Sequence, residues 1–297
     1  VYVPSNLPST LLMNCIPAKI AGVKKIIVAN PKSNGKLNSA VMYAAKKCGV
    51  KEIITCGGAQ AIGSLAYIQQ VDKITGPGND YVAKAKQLVF GDVGIEGMIA
   101  GPSEICIIAD KKTKLNDITT SILGQSEHDS NSQSILVTKY KDLIYKVQND
   151  IKININNLSR KKIISKSLKN HGLIVWCKND KQIIDVVNEI APEHLELNIS
   201  NYSKYISKIY NAGSICIGKN SPMAATDYNV GSNHTLPTLG SAKFSSGLNL
   251  NEFYKKISYI KLSKKGVEKI GESAIHLANY ERLTAHILSI KSRMRRK

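Results

Sequence analysis

The sequence predicts an α/β protein built on parallel sheets, and three observations predict it. Short apolar runs of strand length alternate with helix-length segments along most of the chain. Glycine-containing turns, Gly57-Gly58 and Gly76-Pro77-Gly78, sit where strands hand over to helices. Hydrophobic residues make up 43% of 297 residues, enough for two modest domains each with its own core.

Taken in order, residues 24–30 (KKIIVAN) read as a strand and residues 37–48 as a helix ending at Gly49. Residues 52–56 read as a strand, 59–67 as a helix, 73–75 as a short strand, 81–90 as a helix and 104–109 as a strand. A second series follows, with helices at 115–123, 141–154 and 181–190 and strands at 133–138, 173–177 and 214–217. Residues 219–247 are rich in turns, and beyond residue 250 the pattern becomes mostly helical and basic. The expected architecture is two Rossmann-like parallel-sheet domains, the second incomplete, plus a small helical C-terminal segment. The boundaries fall at 1–104 for a nucleotide-binding domain, 105–248 for a second α/β domain carrying the chemistry, and 249–297 for a helical dimer-contact segment. No repeat of fixed period and no low-complexity tract interrupts this order.

Composition narrows the function classes. The formal charge is +19, a balance that favours polyanionic partners. The lysines are dispersed, however, and only the C-terminal KSRMRRK is a dense basic run. We therefore read the charge as compositional rather than as a nucleic-acid surface. No stretch has the uninterrupted apolar length of a membrane span. The opening VYVPSNLPSTLLMN carries no signal-peptide pattern and no initiator Met, so the chain reads as beginning inside a longer protein. Six cysteines at 15, 48, 56, 106, 177 and 216 form no CxxC pair and point to a reducing cytoplasm. Cys56 and Cys106 lie in apolar runs and are expected to be buried.

Several residues carry possible chemistry. No GxGxxG fingerprint follows the first strand. In its place stand GGAQA at 57–61 and GPGN at 76–79, where Gln60 and Asn79 are the polar side chains best placed to reach a cofactor; each turn alone is also an ordinary tight turn. Gln125 and His128 are three apart and share one side of a helical turn. His is a good zinc ligand and Gln a rare one, so a surface turn competes with a metal site there. Pro192-Glu193-His194 follows a helix and places a carboxylate beside an imidazole, a plausible pair for proton transfer if the backbone re-aims them to one site. Asp227, in the polar loop DYNVGSNH, could ligate a metal. Glu281 and His286 sit in ANYERLTAHIL, a run that by itself reads as a solvated helix face.

In order along the chain, PSTLLMNCIPAKIAGVKKIIVANP, GGAQAIGSLAY, VDKITGPGNDYVAKAK, AGPSEICIIAD, GQSEHDSNSQSILVT, APEHLELNI, AGSICIG, TDYNVGSNHTLPT and AIHLANYERLTAH resemble the histidinol dehydrogenase family. Each segment is weak, but the ordered set spans nearly the whole chain and is specific. The resemblance implies two successive NAD-dependent oxidations, of histidinol to histidinaldehyde and then, through its hydrate, to histidine. It implies one zinc per site, held by Gln125, His128, Asp227 and His286. Glu193 would activate the water that attacks the aldehyde, and His194 would be its acid–base partner. Ser103 and Glu281 would help hold the substrate, together with the metal ligands and His194. Tyr2, Gln60 and Asn79 would contact NAD. The family's enzymes are homodimers with shared sites, which makes the segment holding His286 the expected donor across the interface. A thiohemiacetal mechanism through Cys56 or Cys106 is the minor alternative.

The chain also departs from the family pattern. The first loop, Val3-Pro4-Ser5-Asn6, is short and lacks paired glycines. The stretch 67–71 is shorter than the family's turn, and Arg282 replaces a small residue. The family carries a sizeable segment ahead of Tyr2. These changes keep two other readings open: a relative that retains the fold without turnover, and a basic nucleic-acid-binding protein.

Overall fold

The first α/β block is assembled around the opening residues of the chain. In the computed structural model, which describes residues 1–4, 6–96 and 101–294, Ala29 N–H donates to the Val1 carbonyl at 2.8 Å and Val3 N–H donates to the Ala29 carbonyl at 2.9 Å. On the other side Tyr2 N–H donates to the Thr75 carbonyl at 2.7 Å. Residues 1–3 thus stand between two parallel pairs, β1 (Ile27–Ala29) with β2 (Glu52–Ile54) and β3 (Lys73–Ile74) with β4 (Gly94–Ile95). The close approach explains one glycine. Gly76 has φ +125°, and a Cβ there would lie 2.0 Å from the Tyr2 carbonyl oxygen. Beneath the same turn the buried Lys86 ammonium donates to the Gly76 carbonyl and to Glu96, and Gly76 N–H donates to that carboxylate at 3.2 Å.

Four helices pack on these strands: α1 (Pro8–Ile20), α2 (Ser39–Cys48), α3 (Gly58–Gly63, prolonged by a π turn over Ser64–Ile68) and α4 (Asp80–Val89). Asn38 caps α2 by accepting from Ala40 and Val41, and Gly49 closes it at φ +77°. Asn79 caps α4 by accepting from Val82 N–H at 3.1 Å.

The second block is a five-stranded parallel sheet, in the order β7 (Gly172–Trp176), β6 (Gln133–Thr138), β5 (Glu104–Ala109), β8 (His194–Asn198) and β9 (Ser214–Ile217). Helices α5 (Leu115–Ser126), α6 (Lys141–Asn154), α7 (Lys161–His171), α8 (Asp180–Ile190), α9 (Ser203–Ile206) and α10 (Met223–Thr226) connect and cover it. Successive strand residues point to opposite faces, so Cys106, Ile108, Leu195 and Leu197 fill one core while Ile105, Ile107, Ala109 and Leu136 fill the other. The strand at 104–109, counted from sequence with the first series, is central to this second sheet, and the 104/105 boundary falls on its first residue. Helix α7 and strand β8 have no counterpart among the elements assigned from sequence.

The two blocks meet through α1. Asn14 donates to the Thr235 hydroxyl at 3.3 Å, and Asn233 donates to the Met13 carbonyl. Both belong to one compact unit, Val1–Tyr254, and the residues from Lys255 onward form another. In the latter, helices α11 (Lys264–Tyr280) and α12 (Thr284–Met294) form a hairpin so close that a Cβ on Gly271 would lie 2.4 Å from the Met294 sulfur. From residue 250 a 3-10 turn over Leu250–Phe253 is followed by residues 254–263, which are neither helix nor strand, and α-helix begins at Lys264. Ser5, Ala100 and the end of the C-terminal basic run lie outside the described residues.

Candidate active site

Six of the residues singled out from sequence lie at the amino-terminal edge of the five-stranded sheet. Ser103 precedes β5, and Glu193-His194 opens β8, directly beside it. Helix α5 connects parallel neighbours, so its last turn must return to the edge where β6 begins, and that turn carries Gln125 with His128 just beyond. The carboxyl end of a helix bears partial negative charge and favours a cation. Asp227 follows α10, whose Met223 N–H is anchored on the buried Glu196 of β8 at 2.7 Å.

These side chains converge. His128 Nε2 lies 3.9 Å from Asp227 Oδ2, and His194 Nε2 lies 3.9 Å from Asp227 Oδ1. Glu193 Oε1 is also 3.9 Å from His194 Nε2. Gln125 is fully buried, yet neither its amide oxygen nor its amide nitrogen has a hydrogen-bond partner. Native interiors seldom leave such groups unsatisfied unless a ligand or water serves them. His194 Nδ1 is likewise buried and unpartnered. An imidazole, a carboxylate and an amide oxygen are zinc donor types, so the residues present fit a zinc ion. Among the described residues no group of three or more His, Cys, Asp or Glu is placed to hold a metal ion, and of the four expected ligands this unit contains one His, one Asp and one Gln.

Burial pushes the Glu193 carboxyl well above the usual carboxylate range, and the nearby Glu104 and Asp227 charges add to this. Burial, with the His128 and His234 charges, brings His194 down to about 3. Burial disfavours the charged form of each, so the two groups shift in opposite directions, the carboxyl up and the imidazole down. Burial also raises Asp227, against the opposing pull of His128 and His234.

Tyr2, Gln60 and Asn79 lie elsewhere, Tyr2 paired beside Ala29 at the end of β1 and Gln60 and Asn79 past the carboxyl ends of β2 and β3, where open parallel sheets bind ligands. The buried Tyr2 hydroxyl accepts from Gly58 N–H at 3.2 Å at the start of α3, which carries Gln60. The Asn79 side-chain oxygen is occupied as the α4 cap. Glu281 closes α11 and His286 lies in α12, both in the other unit. Cys106 is fully buried with its thiol pushed far up, so it is no ready nucleophile. Cys56, expected in a buried strand, lies past the end of β2 and is only half-buried.

Two residues inside the quoted motifs escaped individual notice. His234 Nδ1 is 2.9 Å from the Asp227 carbonyl and its Nε2 is 3.2 Å from the Thr10 hydroxyl, which ties the Asp227 loop to α1. Glu104 is buried beside Glu193. A charged residue opening an otherwise apolar strand was the available signal for Glu104.

A histidinol dehydrogenase family model matches residues 1–294. The chain is 55% identical to a histidinol dehydrogenase of Pelagibacter ubique, over 100% of this chain and 71% of that protein. It is 44% identical to histidinol dehydrogenase 1 of Nostoc, over 99% of this chain and 70% of the relative. The crystal structure of histidinol dehydrogenase from Elizabethkingia anophelis superposes with a TM-score of 0.94 at 39% identity, covering 99% of this chain and 69% of that one. An acetylating aldehyde dehydrogenase from Geobacillus thermoglucosidasius shares the fold alone, with a TM-score of 0.57 at 13% identity.

Proposed function

Because the chain belongs to the histidinol dehydrogenase family of oxidoreductases, we propose that it oxidises histidinol to histidine in two NAD-dependent steps at the edge of its second sheet. The observation that carries the reading is the unpartnered, buried Gln125 amide facing the same edge as His128 and Asp227, beside the Glu193–His194 pair. Gln125, His128, Asp227 and, from the C-terminal unit of a second copy of the chain, His286 would hold zinc, which supplies a Lewis-acidic anchor for the amino and imidazole nitrogens of the substrate. Ser103 and Glu281 complete the substrate contacts. Tyr2, Gln60 and Asn79 would contact NAD, which would supply the hydride acceptor for both oxidations.

The chain's own residues then manage protons. His194 takes the proton of the carbinol oxygen as the hydride leaves carbon, giving the aldehyde. Glu193 in its ionised form takes a proton from the water that attacks the aldehyde carbon, while His194 returns its proton to the carbonyl oxygen, giving the hydrate and a neutral imidazole. A second hydride loss, with His194 again accepting the hydroxyl proton, gives the carboxylic acid. No cysteine is needed, in keeping with the burial of Cys106. Six free thiols suit the reducing cytoplasm where we place the enzyme. Among the described residues no helix is long and apolar enough to cross a membrane.

The test is a zinc assay on purified protein together with NADH formation from histidinol. Zinc binding with turnover is expected. Zinc without turnover would favour a relative that keeps only the fold. Absence of both, with salt-sensitive nucleic-acid binding, would favour a basic binding protein.

A further inference from the structure

The ladder between β5 and β8 begins at Ile105 and His194, and one step before it the pairing is handed to side chains. Glu104 N–H donates to Glu193 Oε2 at 2.8 Å, and Glu193 N–H donates to Glu104 Oε2 at 3.3 Å. The other Glu104 oxygen, Oε1, accepts from Leu239 N–H at 3.0 Å. Leu239 holds φ +54°, a strained value for a branched residue, so that contact sits on a turn the surroundings must hold in place. Behind Glu193 the chain is pinned as well. Gly213 N–H donates to the Pro192 carbonyl and Ser214 N–H to the Glu193 carbonyl, each at 2.9 Å, and a Cβ on Gly213 would lie 2.6 Å from the Glu193 oxygen.

We propose that Glu104 is the positioning residue of Glu193: it ties the Glu193 main chain and one carboxylate oxygen, and so leaves Oε1 free and facing His194. Only one Glu193 oxygen is tied, and the free one is the atom 3.9 Å from His194 Nε2. Glu104 suits the task because its carboxyl group offers two oxygens, and here a backbone N–H donor from a different segment meets each of them. Two neighbouring buried carboxylates oppose folding, and an apolar pair would pack there without that penalty. Their presence at the head of two adjacent strands therefore points to a role beyond packing. The inference rests on the reading of Glu193 as the base for aldehyde hydration.

The experiment is a double-mutant cycle of Glu104→Gln and Glu193→Gln, read by single-turnover oxidation of histidinaldehyde, with zinc content and melting temperature measured on each protein. Glutamine keeps the size but offers one acceptor where two are needed. Glu104→Gln is expected to slow the aldehyde step by about tenfold to a hundredfold, within the range of losing a well-placed general base. Its KM for histidinol should stay within about threefold, since binding is not the affected term. Added to Glu193→Gln, it should cost no more than about twofold further, because residues acting through one another are not additive. A full additional loss in the double mutant, or a folded Glu104→Gln enzyme at the wild-type rate, would overturn the proposal. If Glu193→Gln alone leaves the aldehyde step unchanged, the reading of Glu193 fails with it, and that mutant by itself reveals this. Should Glu104→Gln not fold, Glu104→Asp, which keeps the charge but shortens the reach, is expected to behave the same way. Wild-type turnover in it overturns the proposal.

Discussion

His128 Nε2 lies 3.9 Å from Asp227 Oδ2, although one side chain follows helix α5 and the other follows helix α10. The unpartnered Gln125 amide is buried one helical turn before His128.

If these groups hold zinc, His128→Ala removes a nitrogen that donates directly to the ion. Zinc affinity should fall by roughly a hundredfold or more, at least the loss seen for outer-shell partners. Metal content after exhaustive dialysis, on wild type and mutant side by side, checks this. Added zinc should raise the melting temperature of the wild type and not of the mutant. Equal metal content in both would remove His128 from the ligand set.

Asn79 tests the cofactor side, where its cap oxygen has a structural duty toward Val82. Asn79→Ala should lose about 1 kcal/mol of stability as a missing cap and should also raise the KM for NAD. Asn79→Ser restores a capping oxygen but has no amide, so it should recover the stability and leave the KM raised. Zinc content should not change in either. Recovery of KM along with stability in Asn79→Ser would make Asn79 a cap and nothing more.

The limits of the sequence reading have physical causes. In the second block, strands β5 and β6 were legible because both faces are buried and each carries an apolar run, ICIIA in β5 and ILV in β6. Strand β8 was not, since HLELN carries three polar side chains and all five residues are buried. Glu196 tolerates this because Ser121 and Met223 N–H satisfy it, a compensation set by distant elements. In the first block β3 and β4 have two residues each, too short for any periodicity, and residues 1–3 become a strand only through partners at Ala29 and Thr75. The candidate pairs Glu193-His194 and Gln125…His128 were easier to single out, because each is local in sequence. The Glu104–Glu193 exchange was not, because it depends on which strands are neighbours.

A shared site can be tested by complementation. His286 lies in the C-terminal unit, and we assign it to the zinc of a second copy, whereas His128 belongs to the first unit. In a two-fold dimer, a mixed pair of His128→Ala and His286→Ala chains would have one site with both defects and one intact. Co-expression should therefore restore about a quarter of wild-type activity from two inactive parents. Activity no higher than that of the parents would place His286 in the same chain's site or outside the chemistry.

The central claim is that Glu193 serves the water-consuming half of the reaction and His194 the proton transfers of both halves. Glu193→Gln keeps shape and hydrogen bonding but removes basicity. The most direct measurement is single-turnover NADH formation by this mutant from histidinol and from histidinaldehyde, each supplied separately. The account predicts that aldehyde oxidation slows by roughly a hundred- to ten-thousandfold, while histidinol oxidation suffers much less and aldehyde accumulates. Equal slowing of both steps would contradict it and make Glu193 an orienting partner of His194, and unchanged rates for both would remove Glu193 from the mechanism.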